Sequence, residues 1–263
     1  MTRSSLAKQS GVSPSSLYYQ PKQPFKDWAL KTRIEETLHD YPSYGHKRLA
    51  LHLGLGKNRI KRVMKLFGLK PYRRRAKKPW KESGKEKLIY PNLLLNYFPD
   101  APGKIWASDF TPLRFKNRFI YLATVIDLFN REIVGFNLMA SHGTSLIIGA
   151  LLLALNLRAP PEILHSDQGS EYASKTYTAL ISMFGIQISM SRKGSPWENG
   201  YQESFYSQFK VDLGDPNRFD DLGELIYNVY QMINAYNKDR IHTILKMSPH
   251  QYLNRYLAMH KVF

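Results

Sequence analysis

The stretch that decides the fold spans residues 104–139 and contains three strand-like segments: KIWASDFTPLRF (104–115), FIYLATVIDLF (119–129) and EIVGFNLM (132–139). All three are rich in β-branched and aromatic residues, as strands usually are. Short connections at Lys116-Asn117 and Asn130-Arg131 separate them. The pattern therefore predicts an antiparallel meander of three strands.

The segments that follow alternate between helix-like and strand-like patterns. They are predicted as a helix (about 143–157), the strand EILHS (162–166), a helix (about 174–184), the strand IQISM (186–190) and a helix (about 199–211). Such alternation favours parallel strands added to the meander. Three antiparallel strands followed by α-β-α-β-α is the order of an RNase H-like domain. We therefore predict an α/β fold, in which an RNase H-like core with a mixed five-stranded sheet and flanking helices follows a small all-α helix-turn-helix region.

The region before residue 104 is basic and patterned as helices. Residues 1–103 hold 22 Lys and Arg against 7 Asp and Glu, whereas residues 104–263 hold 16 against 14. This asymmetry favours a polyanionic partner, and nucleic acid is preferred over a merely solvated basic surface. The predicted domains are an N-terminal helical hairpin (1–25), a helix-turn-helix DNA-binding domain (26–70), a basic linker (71–103) and the core with a C-terminal helical tail (104–263).

The last helix of the predicted DNA-binding domain separates apolar from basic residues. An apolar face that packs inside the domain and a basic face that contacts phosphates suit a helix-turn-helix domain that binds DNA. A three-helix bundle with a charged exterior has the same pattern. An earlier helix is predicted to place Trp28, Ile34 and Leu38 on one face. The predicted phosphate contacts are Lys57, Arg59, Lys61 and Arg62 in the last helix and Arg73, Arg74 and Arg75 in the linker.

Composition excludes several classes of protein. The chain has no cysteine, which excludes disulfides and Cys-containing zinc sites. Its N-terminus lacks the apolar core of a signal peptide. The longest apolar run, at 146–157, is interrupted by Gly149 and Asn156 and is too short to span a bilayer. We expect a soluble cytoplasmic protein without a membrane partner.

Three acids stand out: Asp109 in WASDFT, Asp167 in HSDQGSEY and Glu203 in NGYQESF. The first two contexts are strand-like and the third is helical, and 35 residues lie between Asp167 and Glu203. A charge in a strand as apolar as that of Asp109 is costly unless it is paired or binds a metal. Three carboxylates from distant segments suit a pair of hard divalent cations. Lys210 projects from the same helix face as Glu203, two turns further on, where it can reach a phosphate.

Each acid also has an ordinary explanation. Asp109 could be an edge-strand residue that faces solvent, and Asp167 could belong to a simple turn. Asp127 is a rival on the next strand, although its place just before the turn at Asn130 favours a structural role. Glu198 is a second rival, and its position near a helix start suits the helix dipole.

The ordered set of motifs resembles the DDE transposase and retroviral-type integrase superfamily. Within it, the chain looks like the OrfB-type, second-frame product of bacterial insertion sequences over nearly its whole length. The matching segments are YPSYGHKRL (41–49), WASDFT (106–111), YLATVIDLFNREIVGF (121–136), HSDQGSEY (165–172), SRKGSPWENGYQESFYSQFK (191–210) and YNKDRIHTILKMSP (236–249). One departure is Gly200, where many relatives carry alanine.

The resemblance implies the site and the reaction. It assigns Asp109, Asp167 and Glu203 as catalytic metal ligands and Lys210 as the downstream basic residue. It implies a polynucleotidyl transferase that cleaves element-end phosphodiesters and transfers strands with two Mg²⁺ ions, for which Mn²⁺ is expected to be able to substitute. Arg240 and His242 in the tail also match, and we expect them to contact DNA.

The resemblance further implies the partners. These are DNA, as element ends and target, and other copies of the chain on that DNA. An upstream-frame protein is a further candidate, since the active form in this family is usually a frameshift fusion. The expected location is the bacterial cytoplasm, in association with the nucleoid. Two alternatives are a regulatory or domesticated DNA-binding protein without turnover and an RNase H-like nuclease without strand transfer. The intact acids argue against the first, and the basic helical region argues against the second.

Overall fold

The computed structural model describes residues 22–72, 90–192 and 195–260, together with four single positions nearer the N-terminus, Ala7, Gln9, Gly11 and Ser13. The chain divides into two compact units, residues 1–71 and 72–263. The predicted hairpin at 1–25 lies mostly outside the described residues. The predicted DNA contacts Arg73, Arg74 and Arg75 lie wholly outside them.

Residues 22–71 of the first unit form three helices, α1 (Gln23–Asp40), α2 (His46–Leu53) and α3 (Lys57–Leu66). As predicted, α3 buries Ile60, Val63 and Met64 and exposes its basic residues. The prediction for α1 was wrong at Trp28, which is 60% exposed. The buried positions of α1 are Asp27, Leu30, Ile34 and Thr37, so the inner face of this helix begins one residue earlier than Trp28.

An ion pair between half-exposed Arg62 and buried Asp27 joins α1 to α3. Arg62 Nη1 donates to Asp27 Oδ2 at 2.7 Å, and Nη2 donates to Oδ1. Asp27 is 3% exposed, and the hydrogen bond from Arg62 lowers the pKa of its carboxyl group. Arg62 was predicted to contact DNA, and in the structure its guanidinium pairs with Asp27 while 47% of its side chain stays exposed. The pair offsets the charge of a buried carboxylate and gives Arg62 a structural role, and its predicted contact with DNA stays a prediction.

The Arg62→Gln variant is expected to lower the thermal unfolding temperature by roughly 5 °C at pH 7, because Asp27 would stay buried without its fork-shaped partner. Since pairing lowers the pKa of Asp27, this contribution is present above the usual aspartate pKa of about 3.9 and is lost as the pH falls through the lower folded value. The matched control is Lys61→Gln, on the exposed side of α3. It should leave the unfolding temperature unchanged and weaken DNA binding. Circular dichroism melts at several pH values measure both variants, and an unchanged melt for Arg62→Gln would refute the structural role.

The second unit is built on one five-stranded sheet. Its strands are β1 (Ile105–Phe115), β2 (Arg118–Asp127), β3 (Ile133–Met139), β4 (Ile163–Ser166) and β5 (Gln187–Met190). Their order across the sheet is β3-β2-β1-β4-β5. The first three strands pair antiparallel, and β4 and β5 add in parallel on the other side of β1. The predicted meander and the mixed sheet of an RNase H-like fold are confirmed.

Helices cover the sheet. They are α4 (Thr144–Leu157), α5 (Lys175–Met183), α6 (Gly200–Leu213), α7 (Leu222–Lys238) and α8 (Pro249–His260). Ala123 and Val125 of β2 pack with residues of α4 and α5, whereas Leu122 and Ile126 pack with residues of α6 and α7. Alternate side chains of β2 thus enter different apolar layers, which explains why its sequence is apolar almost without interruption. None of the helices in the described ranges has the length and apolar character needed to cross a membrane.

The predicted linker, 71–103, differs from the structure in its last part. Residues 93–95 form a short 3₁₀ turn, and Leu93 and Leu94 pack against the sheet. The Leu93 N–H donates to Ser189 Oγ at 2.9 Å, and the Met190 N–H donates to the carbonyl of Pro91 at 3.2 Å. Leu93 and Leu94 gain from this partial burial, whereas Leu95 is 60% exposed. Residues 90–103 therefore belong to the second unit.

Candidate active site

Asp109 lies in β1, the middle strand of the sheet, opposite Thr124 of β2. Its Oδ1 accepts the N–H of Phe110 at 2.8 Å. Burial raises the pKa of Asp109 to about 8, and the negative charges of Asp167 and Glu203 act in the same direction. The positive charge of Lys210 acts in the opposite direction. The structure thus brings Asp167, Glu203 and Lys210 within electrostatic reach of Asp109.

Asp167 reaches this position because it directly follows β4. That strand pairs in parallel with the first residues of β1, so it ends beside the part of β1 that carries Asp109. Asp167 Oδ1 accepts the N–H of Gly169 at 2.9 Å. Much of the residue surface is open to solvent, yet the protein around the carboxylate raises its pKa, with a smaller contribution from Glu171. The position is the usual one for functional groups in α/β sheets.

Glu203 and Lys210 come from α6. Glu203 lies in the first turn of this helix and is exposed, and Lys210 lies in its last turn and is half-buried. Both affect the pKa of Asp109, as the shared helix face predicts. Within the described ranges, no three Asp, Glu or His side chains are gathered as closely as the ligands of a metal ion. The acids form an electrostatic cluster rather than a closed coordination site.

Two side chains that the sequence analysis missed fix α6 to the sheet. Gln202 is fully buried, and its amide donates to the carbonyl of Ala107 at 2.7 Å and accepts from Thr124 Oγ1 at 3.0 Å. The Tyr206 hydroxyl donates to the carbonyl of Asp109 itself at 2.6 Å. These residues flank Glu203 on the helix. Their i, i+4 spacing is a sequence signal, although it says nothing about which strand they meet.

Comparisons with known proteins agree with this architecture. Two models of the integrase core domain match residues 99–196 and 184–249. The transposase for insertion sequence element IS904 of Lactococcus lactis is 33% identical over 234 residues, which are 84% of this chain and 92% of the relative. The uncharacterized 31 kDa protein of insertion element IS600 of Shigella sonnei is 31% identical and covers 95% of this chain and 97% of its own length.

The chain belongs to the insertion-sequence transposases. A solved chain of the simian T-cell lymphotropic virus intasome, determined in complex with PP2A regulatory subunit B56 gamma, shares the fold. Its TM-score is 0.51 and its identity 17%, over 82% of this chain and 73% of the other. The transposase is thus a DDE polynucleotidyl transferase that acts on DNA in transposition. The predicted family, fold and enzyme class are confirmed.

The two rival acids have other partners in the transposase. Asp127 accepts the N–H groups of Gly103 at 2.6 Å and Phe129 at 2.8 Å, which fixes the β2–β3 turn. Burial raises the pKa of Asp127 to about 6. The side chain of Glu198 is 3% exposed and accepts from Arg192 and Asn92. Glu198 thereby ties the segment before α6 to residues 90–92 of the transposase.

The structure separates the predicted DNA contacts of the transposase into three groups. Lys57, Arg59 and Lys61 are exposed on α3, as a phosphate contact requires. Arg240 is 5% exposed, and its Nε donates to Asp212 Oδ2 at 2.8 Å, so its side chain is buried beside a carboxylate, whereas that of Arg62 is half exposed. His242 lines a cavity beside α6.

Proposed function

We propose that Asp109, Asp167 and Glu203 are the catalytic carboxylates and metal ligands of this transposase. The single observation that carries the proposal is the raised pKa of Asp109, because two of its causes are the charges of Asp167 and Glu203. Acids that destabilise one another in a half-buried cleft are expected where a protein binds cations or performs chemistry. Lys210 is the accompanying positive charge.

The donor set fits divalent cations. Carboxylate oxygens are the hard ligands that Mg²⁺ prefers. The raised pKa of Asp109 reflects an excess of negative charge, which a cation would offset. Because the acids are not gathered at ligand distances, ion binding requires them to approach one another. We propose two Mg²⁺ ions, with Mn²⁺ able to substitute.

The reaction consists of two phosphodiester displacements. When bound, divalent cations at such a site activate the attacking oxygen and stabilise the leaving one. In the first displacement, water attacks the phosphorus at the element end, the P–O3′ bond breaks, and a free 3′-hydroxyl and a 5′-phosphate result. In the second, that 3′-hydroxyl attacks a target phosphodiester, a new P–O bond forms, and a target 3′-hydroxyl leaves. No covalent bond to the protein is required.

The side chains of the transposase position the reacting groups. The sheet and the Phe110 N–H hold Asp109 in place. Gln202 and Tyr206 hold the first turns of α6, and therefore Glu203, against β1. Lys210 offers an ammonium group to a phosphate oxygen near Asp109. Such preorganisation supplies much of the catalysis in phosphoryl transfer.

We also propose that the first unit binds the element end. Lys57, Arg59 and Lys61 on α3 would contact phosphates, and the predicted contacts Arg73, Arg74 and Arg75 would extend that surface. The excess of basic residues in this half of the chain supports the assignment. Binding should weaken steeply with salt, by about 0.9 logarithmic units of affinity per logarithmic unit of salt for each phosphate contact.

Strand transfer needs two DNA ends held together, so we propose a homo-oligomer assembled on DNA. An upstream-frame protein is proposed as a second partner in end recognition. Because the substrate is bacterial DNA, the expected place of action is the cytoplasm, at the nucleoid.

The full chain should cleave and join DNA that carries its own element ends when Mg²⁺ is present, and chelation by EDTA should abolish both products. Labelled 3′ ends resolved on denaturing gels distinguish the reactions. Nicked DNA without joined DNA would contradict strand transfer and point to a nuclease. Tight binding without either product in Mg²⁺ or Mn²⁺ would point to a binding protein. The assay should be repeated with the upstream-frame protein added.

A further inference from the structure

A cavity of about 370 Å³ lies beside the start of α6. It is bounded by the β2–β3 turn, by α6, by Tyr236 of α7 and by residues 242–244. Its polar side chains come from Arg131, Tyr201, Ser204, Gln208, Tyr236 and His242, and no acidic residue lines it. We call it the Arg131 cavity.

Arg131 has an unusual backbone conformation. Its φ angle is 66°, in the left-handed region that non-glycine residues seldom adopt. The guanidinium lies over the ring of Tyr201, 4.1 Å from its centroid. A strained conformation of this kind persists only where the surrounding structure imposes it, and such residues cluster at functional sites.

The guanidinium of Arg131 lacks an acceptor for part of its charge. Its Nε and Nη1 atoms are buried, and no acceptor within the described ranges lies at hydrogen-bonding distance from either. Asp127 is near enough for Arg131 to lower its pKa, but the Asp127 oxygens accept the N–H groups of Gly103 and Phe129. Buried charged donors without an acceptor are rare and unfavourable.

Other arginines of the chain show what is missing. Arg62 donates to Asp27, Arg192 to Glu198 and Arg240 to Asp212, and all three carboxylates are largely buried. The guanidinium of Arg131 packs on the ring of Tyr201, whereas those of the other three arginines pair with a carboxylate. Nε and Nη1 have almost no accessible surface, so an anion that enters the cavity would interact with the positive charge of Arg131, which lines it, rather than with these two atoms.

We propose that the Arg131 cavity binds a phosphate of the DNA backbone. The planar guanidinium matches two phosphate oxygens. Gly200 and Tyr201, which line the cavity, are the first residues of α6, and the N-terminus of a helix favours anions. Ser204 adds a hydroxyl and directly follows Glu203 in the chain. A phosphate bound here would hold a DNA strand at the N-terminal end of α6, the helix that carries Glu203. The use of that contact in the reaction rests on the proposed function, whereas the binding itself does not.

The salt dependence of DNA binding tests the proposal. Arg131→Gln should reduce the slope of log affinity against log salt by about 1, as expected for one lost phosphate contact. The matched control is Arg218→Gln, because Arg218 lies over the ring of Phe219 at 4.8 Å but is exposed and does not line the cavity. The control should keep the wild-type slope. Fluorescence anisotropy with element-end duplex DNA and the full chain, without divalent metal, measures all three proteins. An unchanged slope for Arg131→Gln in a folded protein overturns the proposal.

A second variant distinguishes the loss of a phosphate site from damage to the fold. Gln208→Glu places a carboxylate of nearly the same shape in the lining of the cavity, where it can pair with Arg131. This change should raise the thermal unfolding temperature and at the same time reduce the salt slope, a combination that damage to the fold cannot produce. If Gln208→Glu neither raises the thermal unfolding temperature nor lowers the salt slope, the cavity does not bind an anion.

The outcome is separable from that of the proposed catalytic roles, because the binding assay contains no metal and involves no chemistry. Retained cleavage in a Glu203→Gln variant would refute the catalytic assignment and leave the phosphate site intact. An unchanged slope in Arg131→Gln would refute the phosphate site and leave the assignment of the three acids intact.

Discussion

Glu203→Gln is expected to reduce Mg²⁺-dependent cleavage and joining at least about 10³-fold, which corresponds to a loss of roughly 4 kcal/mol of transition-state stabilisation. The variant keeps the size of the side chain and removes one of the two negative charges that raise the pKa of Asp109, those of Asp167 and Glu203. Since Glu203 is exposed in the first turn of α6, its replacement should not lower the unfolding temperature. Product yield on element-end DNA and a thermal melt provide the two measurements.

The matched control for this experiment is Glu162→Gln. Glu162 is also exposed and lies just before β4, five positions ahead of Asp167. It is not among the charges that shift the pKa of Asp109, so activity should remain at the wild-type level. Glu198→Gln provides a contrasting case, because the side chain of Glu198 is buried and holds Arg192 and Asn92. Its first effect should be on stability. Wild-type activity in Glu203→Gln would remove Glu203 from the catalytic set.

Gln202→Leu is expected to lower activity by about 10- to 100-fold, the usual effect of losing a residue that orients a metal ligand. Leucine fills similar space but cannot donate to the carbonyl of Ala107 or accept from Thr124. Leaving those buried groups unsatisfied should also reduce the free energy of unfolding by about 1–3 kcal/mol. A loss of stability alone would not show that Gln202 positions Glu203, so a second measurement is needed.

That readout is the Mg²⁺ concentration at half-maximal activity. If Gln202 holds Glu203 in place, the required Mg²⁺ concentration should rise in Gln202→Leu, measured at a temperature where the protein remains folded. Tyr206→Phe keeps the packed ring and loses only the hydroxyl that donates to the Asp109 carbonyl, so it should shift the Mg²⁺ requirement in the same direction. Tyr227→Phe, at a position that is 62% exposed, is the control. An unchanged Mg²⁺ requirement in both buried variants would assign Gln202 and Tyr206 to stability alone.

The strands of the second unit and their order along the chain were predictable because most of them are short apolar segments bounded by clear breaks. β2 illustrates this, since burial on both faces makes YLATVI almost uninterrupted in its apolar character. The closeness of Asp109 and Asp167 was predictable for a different reason, whereas the catalytic role of the three acids stays a prediction. Asp109 and Asp167 are charges at apolar strands, and each motif has a recognisable local sequence. Their mutual approach then follows from the parallel pairing of β1 and β4.

The remaining parts depend on contacts between segments that are far apart in the chain. Gln202 meets Ala107 and Thr124 across about 80–95 residues, and nothing in YQESF indicates this. Arg62 and Arg240 were predicted to contact DNA because exposed basic residues are the common case. Their buried partners Asp27 and Asp212 lie about 30 residues away, a distance at which spacing along the sequence carries no pairing signal. The sequence shows which side chains are positively charged, but it does not show which acid each of them pairs with.

The separation between β1 and α6 has a consequence for the timing of assembly during synthesis. About 100 residues separate the end of β1 from the end of α6, and a ribosome adds roughly 5–20 residues per second. The meander can therefore pair within seconds of leaving the ribosome, whereas Glu203 cannot dock until Gln202 and Tyr206 have been made. If Glu203 is the catalytic carboxylate proposed above, nascent chains would pass through a stage in which the meander is paired but the third acid is missing, and strand cleavage would begin only after α6 has left the ribosome.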